Sequence, residues 1–181
     1  MKILVAHFSL TGNTSQVAQA IYKAVVSREH EVTLSEVAEV TAERMNDYDL
    51  VYLGSSCHDT DVAKPVKHLL EDIEDAPPFR LAGFVTHATQ LPEDGEKEMY
   101  EQWAGNCIRT FQRASKEKHI TFLGYFHCKG RPSAPIAQFI HNTIITADDK
   151  WTEYITEVQG HPDSQDLSDA RAFANRTLSN C

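Results

Sequence analysis

A short hydroxyl-rich turn, Ser9-Leu10-Thr11-Gly12-Asn13-Thr14, separates two segments of contrasting pattern. The residues before it, 2–8, form an apolar run that is typical of a strand, and apolar residues recur at helical spacing after it. The pattern therefore predicts a strand, a tight loop and a helix whose amino end faces the end of the strand. Unpaired backbone N–H groups at the positive end of a helix dipole form a ready site for an anion.

The residues of the turn narrow the type of anion. A nucleoside triphosphate loop needs a longer glycine-rich turn with a Lys-Ser/Thr pair, and a dinucleotide loop needs three glycines where this turn has only Gly12. Hydroxyl and amide side chains without lysine or arginine favour a single terminal phosphate held by neutral donors. The alternative is that Asn13 or Thr14 only caps the helix. One cap would explain one polar side chain, but the turn has four in six positions.

The rest of the chain alternates between strand and helix patterns. Strands are predicted at 2–8, 31–37, 49–55, 81–87 and 120–126, and helices at 13–27, 41–45, 62–73, 96–118 and 168–178. In the long fourth helix, Trp103 and Cys107 fall at core spacing. Strands separated by helices predict a doubly wound, five-stranded parallel sheet with helices on both faces. The order 2-1-3-4-5 would place a ligand crevice between strands 1 and 3, outside their carboxyl ends.

The turn resembles the phosphate-binding loop of flavodoxins. It matches their pattern Ser/Thr-x-Thr-Gly-x-Thr at every fixed position and directly follows the first strand. The resemblance extends more weakly through the strand and helix rhythm of most of the chain. It implies FMN as a noncovalent cofactor in a flavodoxin-like fold, with the phosphate held by Ser9, Thr11, Gly12, Asn13 and Thr14. It also implies electron transfer between redox partner proteins.

Two further loops, 55–61 after strand 3 and 87–95 after strand 4, should flank the same crevice. By the resemblance, these loops hold the flavin ring. We expect five residues to line the ring pocket: Ser56, Cys57, His58, Thr89 and Gln90. Flavodoxins commonly place aromatic side chains in these loops, whereas neither loop here contains Trp, Tyr or Phe.

The segment 129–165 does not fit the strand and helix repeat, and segments of this length inside a compact domain are usually functional. A lid over the cofactor, a docking surface and plain packing against the sheet would each account for it. Room beside the flavin would favour an alternative function, that of an FMN-dependent oxidoreductase acting on a quinone or NAD(P)H. A second alternative is a module that binds another phosphorylated ligand without redox chemistry.

Composition bounds the remaining possibilities. A chain of 181 residues with 41% hydrophobic and 24% charged residues predicts one domain over 1–181. The net charge of −9 argues against a nucleic-acid partner and suits a partner protein with a basic face. No apolar run approaches the ~20 residues of a membrane helix, and no signal peptide pattern begins the chain. Cytoplasmic location is therefore expected.

No metal site is predicted. The four cysteines are scattered without a C-x-x-C pair. Cys57-His58, His87 and His127-Cys128 should fall at strand ends, but neighbours on a strand point to opposite faces, so each pair offers one ligand to a given site. An acidic group, Glu93, Asp94, Glu96 and Glu98, is either a solvated rim or a docking face for a basic partner.

Overall fold

A parallel β-sheet forms the centre of the structure, a computed structural model that describes residues 1–92, 95 and 97–181. Its strands are β1 (Lys2–His7), β2 (Glu31–Glu36), β3 (Leu50–His58), β4 (Asp61–Val62), β5 (Arg80–His87) and β6 (Thr121–Lys129). The helices are α1 (Asn13–Val26), α2 (Ala42–Met45), α3 (Lys64–Asp72), α4 (Lys97–Trp103), α5 (Gly105–Glu117), α6 (Ala134–Thr143), α7 (Asp148–Gln159) and α8 (Ser164–Ser179).

The order of the strands confirms the predicted doubly wound fold. The parallel path is β2-β1-β3-β5-β6, and the short β4 pairs only with β3. Without β4, this path is the predicted order 2-1-3-4-5. The chain crosses from β1 to β2 on one side and reaches β3 on the other, so a crevice opens at the carboxyl ends of β1 and β3.

Two apolar layers cover the sheet. On one face α1 and α8 pack through residues such as Ile21 and Phe173, and on the other α3 and α5 pack through residues such as Leu70 and Phe111. The hydroxyl of Tyr52 on β3 donates to the carbonyl of Ala174 on α8 at 3.0 Å. Both layers leave the carboxyl edge of the sheet uncovered for the loops that follow the strands.

The end of β3 differs from the prediction, which made 55–61 a loop. The strand continues to His58 and turns back at once into β4, with His58 paired to Asp61. Asp59 and Thr60 both have positive φ, 49° and 70°. Two left-handed central residues match the twist of a two-residue hairpin. The tertiary pairing therefore replaces a loop by a rigid hairpin beside the crevice.

The helix boundaries also differ in three places. The predicted helix 96–118 is two helices, because the chain breaks at Ala104, where φ is −141°. The last helix begins earlier, at Ser164, where the side chain of Asp163 accepts from the N–H groups of Gln165 and Asp166. The segment 129–165 holds α6 and α7. In the described part of the chain, no helix is long and apolar enough to cross a bilayer.

Close packing at Gly54 gives the first prediction. A Cβ at this position of β3 would lie 2.1 Å from the ring of Phe84 on β5. We expect Gly54→Ala to lower the free energy of unfolding by about 2 kcal/mol or more, because the ring has no room to move in the core. Urea unfolding measures this change.

The control is the same substitution in a Phe84→Ala background. There the ring is absent, so Gly54→Ala should cost clearly less. Equal costs in the two backgrounds would contradict the assigned contact.

Candidate functional site

The carboxyl ends of β1, β3 and β5 open into a cavity of about 460 Å³. Its walls come from the turn after β1, the ends of β3 and β5, helix α4 and the segment that follows β6. The cavity lies where the strand order predicts a ligand crevice. Its volume is in the range of small-molecule sites.

A second depression of about 470 Å³ lies between α1 and α8, on the outer side of these helices. Lys23, Arg28 and Arg171 line it. It is remote from the strand ends and contains none of the predicted site residues. We therefore take the cavity at the strand ends as the candidate functional site.

The amino end of α1 is open. Its N-cap residue is Gly12, in a left-handed conformation with φ 85°, and within the described chain no side chain caps the helix. Gln16 is the residue whose N–H bonds to the Gly12 carbonyl. The N–H groups of the residues before Gln16, which form the first turn of α1, have no acceptor within the helix. Neither Asn13 nor Thr14 caps α1, so the capping interpretation is wrong.

Three residues of the turn line the cavity: Leu10, Thr11 and Asn13. The amide Nδ2 of Asn13 donates to the hydroxyl of Thr11 at 3.0 Å and to the carbonyl of Arg131 at 2.7 Å. Gly130 lies so close to this amide that a Cβ there would be 2.9 Å from Nδ2. Asn13 therefore joins the turn to the segment after β6.

The other residues of the turn shape it from behind. The Gly12 N–H donates to the hydroxyl of Ser9 at 3.1 Å. The hydroxyl of Thr14 is buried 2.8 Å from that of Thr86 on β5. These three residues are not part of the cavity lining in the structure. Their direct contact with a phosphate stays a prediction.

On the ring side, Ser56, Cys57, His58 and Thr89 line the cavity as predicted. Gln90 does not, because its amide points away and donates to Glu157 on α7 at 3.2 Å. Contact of the backbone N–H and C=O groups of Gln90 with the flavin ring stays a prediction.

Thr89 carries an unusual hydroxyl. The residue is 8% exposed, and its Oγ1 is buried without a hydrogen-bond partner in the described part of the structure. An unsatisfied buried polar atom is costly in a folded protein. A polar ligand edge in the cavity would satisfy it.

A buried histidine pair lies at the cavity wall, where His87 is one of the lining residues. His87 Nδ1 is 3.2 Å from the carbonyl of Thr89, and its Nε2 is 3.0 Å from Nδ1 of His127. Because a carbonyl only accepts, Nδ1 of neutral His87 carries the proton, and Nε2 accepts from His127. Tyr100 packs against both rings, at centroid distances of 5.3 Å and 4.8 Å.

Burial decides the charge of His87. Desolvation, followed by the charge of His127, lowers the pKa of His87 to about 3. Burial also lowers the pKa of His58, which the charge of Asp59 opposes. His87 is therefore neutral at physiological pH, and it offers the cavity no positive charge.

Polar contacts fasten the segment 129–165 to the strand ends through α7. The hydroxyl of Tyr154 donates to the carbonyl of Ala88 at 2.6 Å. Buried Lys129, the last residue of β6, forms an ion pair with Glu157. Of the three interpretations of this segment, packing at the sheet edge therefore describes α7.

Helix α6 covers the cavity without packing into the core. It buries none of its residues. Ile136, Phe139, Ile140, Ile144 and Ile145, all from α6 or directly after it, line the cavity. Ile136 and Phe139 remain 48% and 47% exposed. The interpretation of the segment as a lid over the cofactor stays a prediction.

Several residues that line the cavity were not predicted from the sequence. Trp103, expected in the core, is half-buried and faces the cavity, whereas Cys107 is buried as predicted. Arg131 adds a positive charge to a site expected to have only neutral donors. Apolar residues at helical spacing from Ile136 to Ile140 could have revealed the covering helix. Nothing in the local sequence places Trp103 or Arg131 beside the turn.

The predicted absence of a metal stays a prediction. Among the described residues, His161, Asp163 and Asp166 bring three potential ligand atoms within 4.8 Å of one another. Their hydrogen bonds already serve the start of α8: Asp163 and Asp166 form a capping box, and Asp166 pairs with His161 at 2.5 Å. Of the acidic group proposed as a docking face, Glu93, Asp94 and Glu96 lie outside the described residues.

Comparisons with known proteins agree with this architecture. A family model for the flavodoxin domain matches residues 4–175. The flavodoxin-like domain-containing protein BilS of Clostridioides difficile is 28% identical, with 98% of this chain and 97% of that protein covered. The structures of flavodoxin 2 and flavodoxin 1 of Bacillus cereus are similar in fold. They have TM-scores of 0.68 and 0.68 and identities of 20% and 13%, with full coverage of this chain and 100% and 99% of theirs.

The buried histidine predicts a specific response to acid. Between pH values of about 3 and 6.5, the unfolded chain binds a proton at position 87 that the folded protein excludes, so stability falls as the pH falls through this window. From pH 7 to pH 5 we expect His87 to contribute a loss of about 2 kcal/mol. In His87→Gln this part of the loss should be absent. Urea unfolding at several pH values measures it.

The matched control is His68→Gln, which changes an exposed histidine on α3. Its acid response should equal that of the unmodified protein. Other titrating groups are common to all three proteins and cancel in the difference. Equal slopes for the unmodified protein and His87→Gln would refute the assignment.

Proposed function

The chain belongs to the flavodoxin domain family, and on this premise we propose that it binds FMN noncovalently and carries electrons between redox partner proteins. The observation that carries the proposal is the open amino end of α1 at the cavity. An uncapped helix end with free N–H groups favours a dianionic phosphate. Its position at the switch point between β1 and β3 is where doubly wound folds bind ligands.

The described residues fit a flavin nucleotide at both of its ends. The hydroxyl of Thr11 and the first-turn N–H groups of α1, which include the backbone N–H of Asn13, would hold the phosphate. At the other end, the unpartnered hydroxyl of Thr89 and the hydroxyl of Ser56 would bind polar atoms of the ring. When bound, FMN supplies the capacity to accept and release one or two electrons.

The charges at the cavity decide which residues could stabilise a negative charge on a reduced flavin. Among the described lining residues, Asp59 and Arg131 carry formal charges at neutral pH. Neutral His87 carries its proton on Nδ1, which donates to the Thr89 carbonyl. Among the described lining residues, Arg131 rather than His87 would supply a positive charge to stabilise a reduced, anionic flavin.

The partners of an electron carrier follow from its surface charge. The net charge of −9 supports a redox partner with a basic face, because opposite charges steer the encounter over long range. Raising the ionic strength should slow electron exchange with such a partner.

A second candidate function is an FMN-dependent oxidoreductase acting on a small substrate, a quinone or NAD(P)H. The specific observation in its favour is the apolar wall of α6. This wall gives the cavity an apolar surface in addition to the polar residues of the turn. Steady-state NADPH oxidation by the isolated protein, without a partner reductase, would favour this enzyme over the carrier.

Reconstitution tests cofactor binding. We expect the purified protein to take up about one equivalent of FMN and to show the visible absorption of a bound flavin. Riboflavin, which has the same ring but no phosphate, should bind about 100-fold more weakly, because the loss removes charge-assisted hydrogen bonds at the turn. Equilibrium dialysis measures both affinities. A colourless protein that takes up no FMN would refute the proposal.

A charge at the first turn of α1 tests where the phosphate lies. Ser15→Asp places a carboxylate at the helix end, which should weaken FMN binding about three- to tenfold by repulsion. The same substitution should stabilise the ligand-free helix slightly, by about 0.5 kcal/mol, because it favours the dipole. Fluorescence titration and thermal unfolding measure the two opposite effects.

Gln19→Glu is the matched control, because it adds the same charge one turn later on an exposed position of α1. It should change FMN affinity by less than about twofold. Riboflavin affinity should be the same in both variants. Equal weakening of FMN and riboflavin by Ser15→Asp would argue against a phosphate at this helix end.

A further inference from the structure

We propose that the apolar half of the cavity, formed by helix α6, is a binding compartment for a flat, uncharged, conjugated small molecule that lies beside the flavin. The inference rests on the proposed FMN site and names the class of ligand that would exchange electrons there. The name α6 wall is used below for Ile136, Phe139, Ile140 and Ile144.

The spacing of the α6 wall makes it one continuous apolar stripe. Residues 136, 139, 140 and 144 follow the i, i+3, i+4, i+8 pattern of a single helix face. All four line the cavity, whereas Gln138 and Asn142 of the same helix are exposed and outside the lining. The helix thus turns its apolar face inward, toward the cavity.

Contacts at both ends hold the helix in place. Before the helix, Asn13 binds the carbonyl of Arg131 at 2.7 Å. At its end, the ring of His141 stacks on Trp151 of α7 at 4.6 Å, and His141 lies 3.4 Å from the carboxylate of Asp148. Helices in proteins normally gain most of their stability from packing of an apolar face. None of the residues of α6 is buried, so a ligand in the cavity would supply this packing.

The shape and chemistry of the opposite walls select the occupant. Trp103, Tyr154 and Met99 face the same cavity, and flat aromatic surfaces with a thioether favour a flat conjugated ligand. The wall is concave and belongs to a cavity of about 460 Å³, which suits a small molecule rather than the surface of a protein.

The charges exclude a highly anionic ligand beside FMN. Among the described residues of the lining, one cation, Arg131, is offset by one carboxylate, Asp59. A nicotinamide dinucleotide phosphate would bring several phosphates to a site with this single cation. An uncharged bicyclic quinone has no such requirement and would bury the half-exposed Ile136 and Phe139.

The test is the titration of FMN-loaded protein with menadione, a flat bicyclic quinone. We expect a dissociation constant below about 100 µM, which is modest for a ligand of this size. Phe139→Ala should weaken menadione binding about tenfold, because it removes a large apolar contact. FMN affinity should change by less than about twofold. Isothermal titration measures both ligands on each protein.

Two variants and one independent readout control the result. Gln138→Ala, on the exposed side of α6, should leave both affinities unchanged, and Phe139→Leu should restore most of the menadione affinity. Bound menadione should slow hydrogen exchange of the amides in 134–143, because it supplies the missing packing for α6. Gln138→Ala should show the same protection as the unmodified protein.

Each outcome decides a different claim. If FMN binds and menadione does not, the compartment is refuted and the FMN site stands. If Phe139→Ala weakens FMN as much as menadione, the α6 wall covers the flavin ring itself and the inference is wrong. If menadione binds with the expected Phe139 dependence while FMN does not bind, the compartment stands and the proposed cofactor falls.

Discussion

The positive end of the α1 dipole, left without a capping side chain, is the constraint on which the surrounding structure depends. β1 ends just before this helix end. Gly12 then allows the left-handed turn that exposes the first-turn N–H groups of α1. Thr14 then ties the helix to β5 through the hydroxyl of Thr86. The turn is held from behind by these contacts, while its open side faces the cavity. Because the side chains of Ser9 and Thr14 bond behind the turn, the first-turn N–H groups of α1 remain available to a ligand.

The segment after β6 completes the cavity with two helices, α6 and α7, which have different structural roles. α7 contributes polar fastening through Tyr154 and Glu157, so its position is fixed by hydrogen bonds and an ion pair. α6 contributes an apolar face, and none of its residues is buried. The result is a cavity that is polar near the turn and apolar under α6. Two chemically different occupants, or two parts of one occupant, can meet in it.

The charge of the cavity lining differs from the net charge of the chain. The chain carries a net charge of −9, yet its described cavity lining holds one acid and one base. His87 stays neutral because burial lowers its pKa to about 3. Changes of charge at exposed positions would therefore alter the net charge of the chain without altering the buried pair His87 and His127.

The sequence by itself determined the alternation of strands and helices and the hydroxyl-rich turn, because these depend on local periodicity and on a short motif at a strand end. The predicted strand order is one of the two common doubly wound arrangements, and the resemblance to flavodoxins places Ser56, Cys57, His58 and Thr89 near the turn. Only the tertiary structure decided that Gln90 turns away to Glu157, that 55–61 folds into a hairpin, and that Trp103 and Arg131 reach the site. These features depend on contacts between residues distant in the chain, and no local pattern encodes which distant partner satisfies a given polar group or covers a given apolar face.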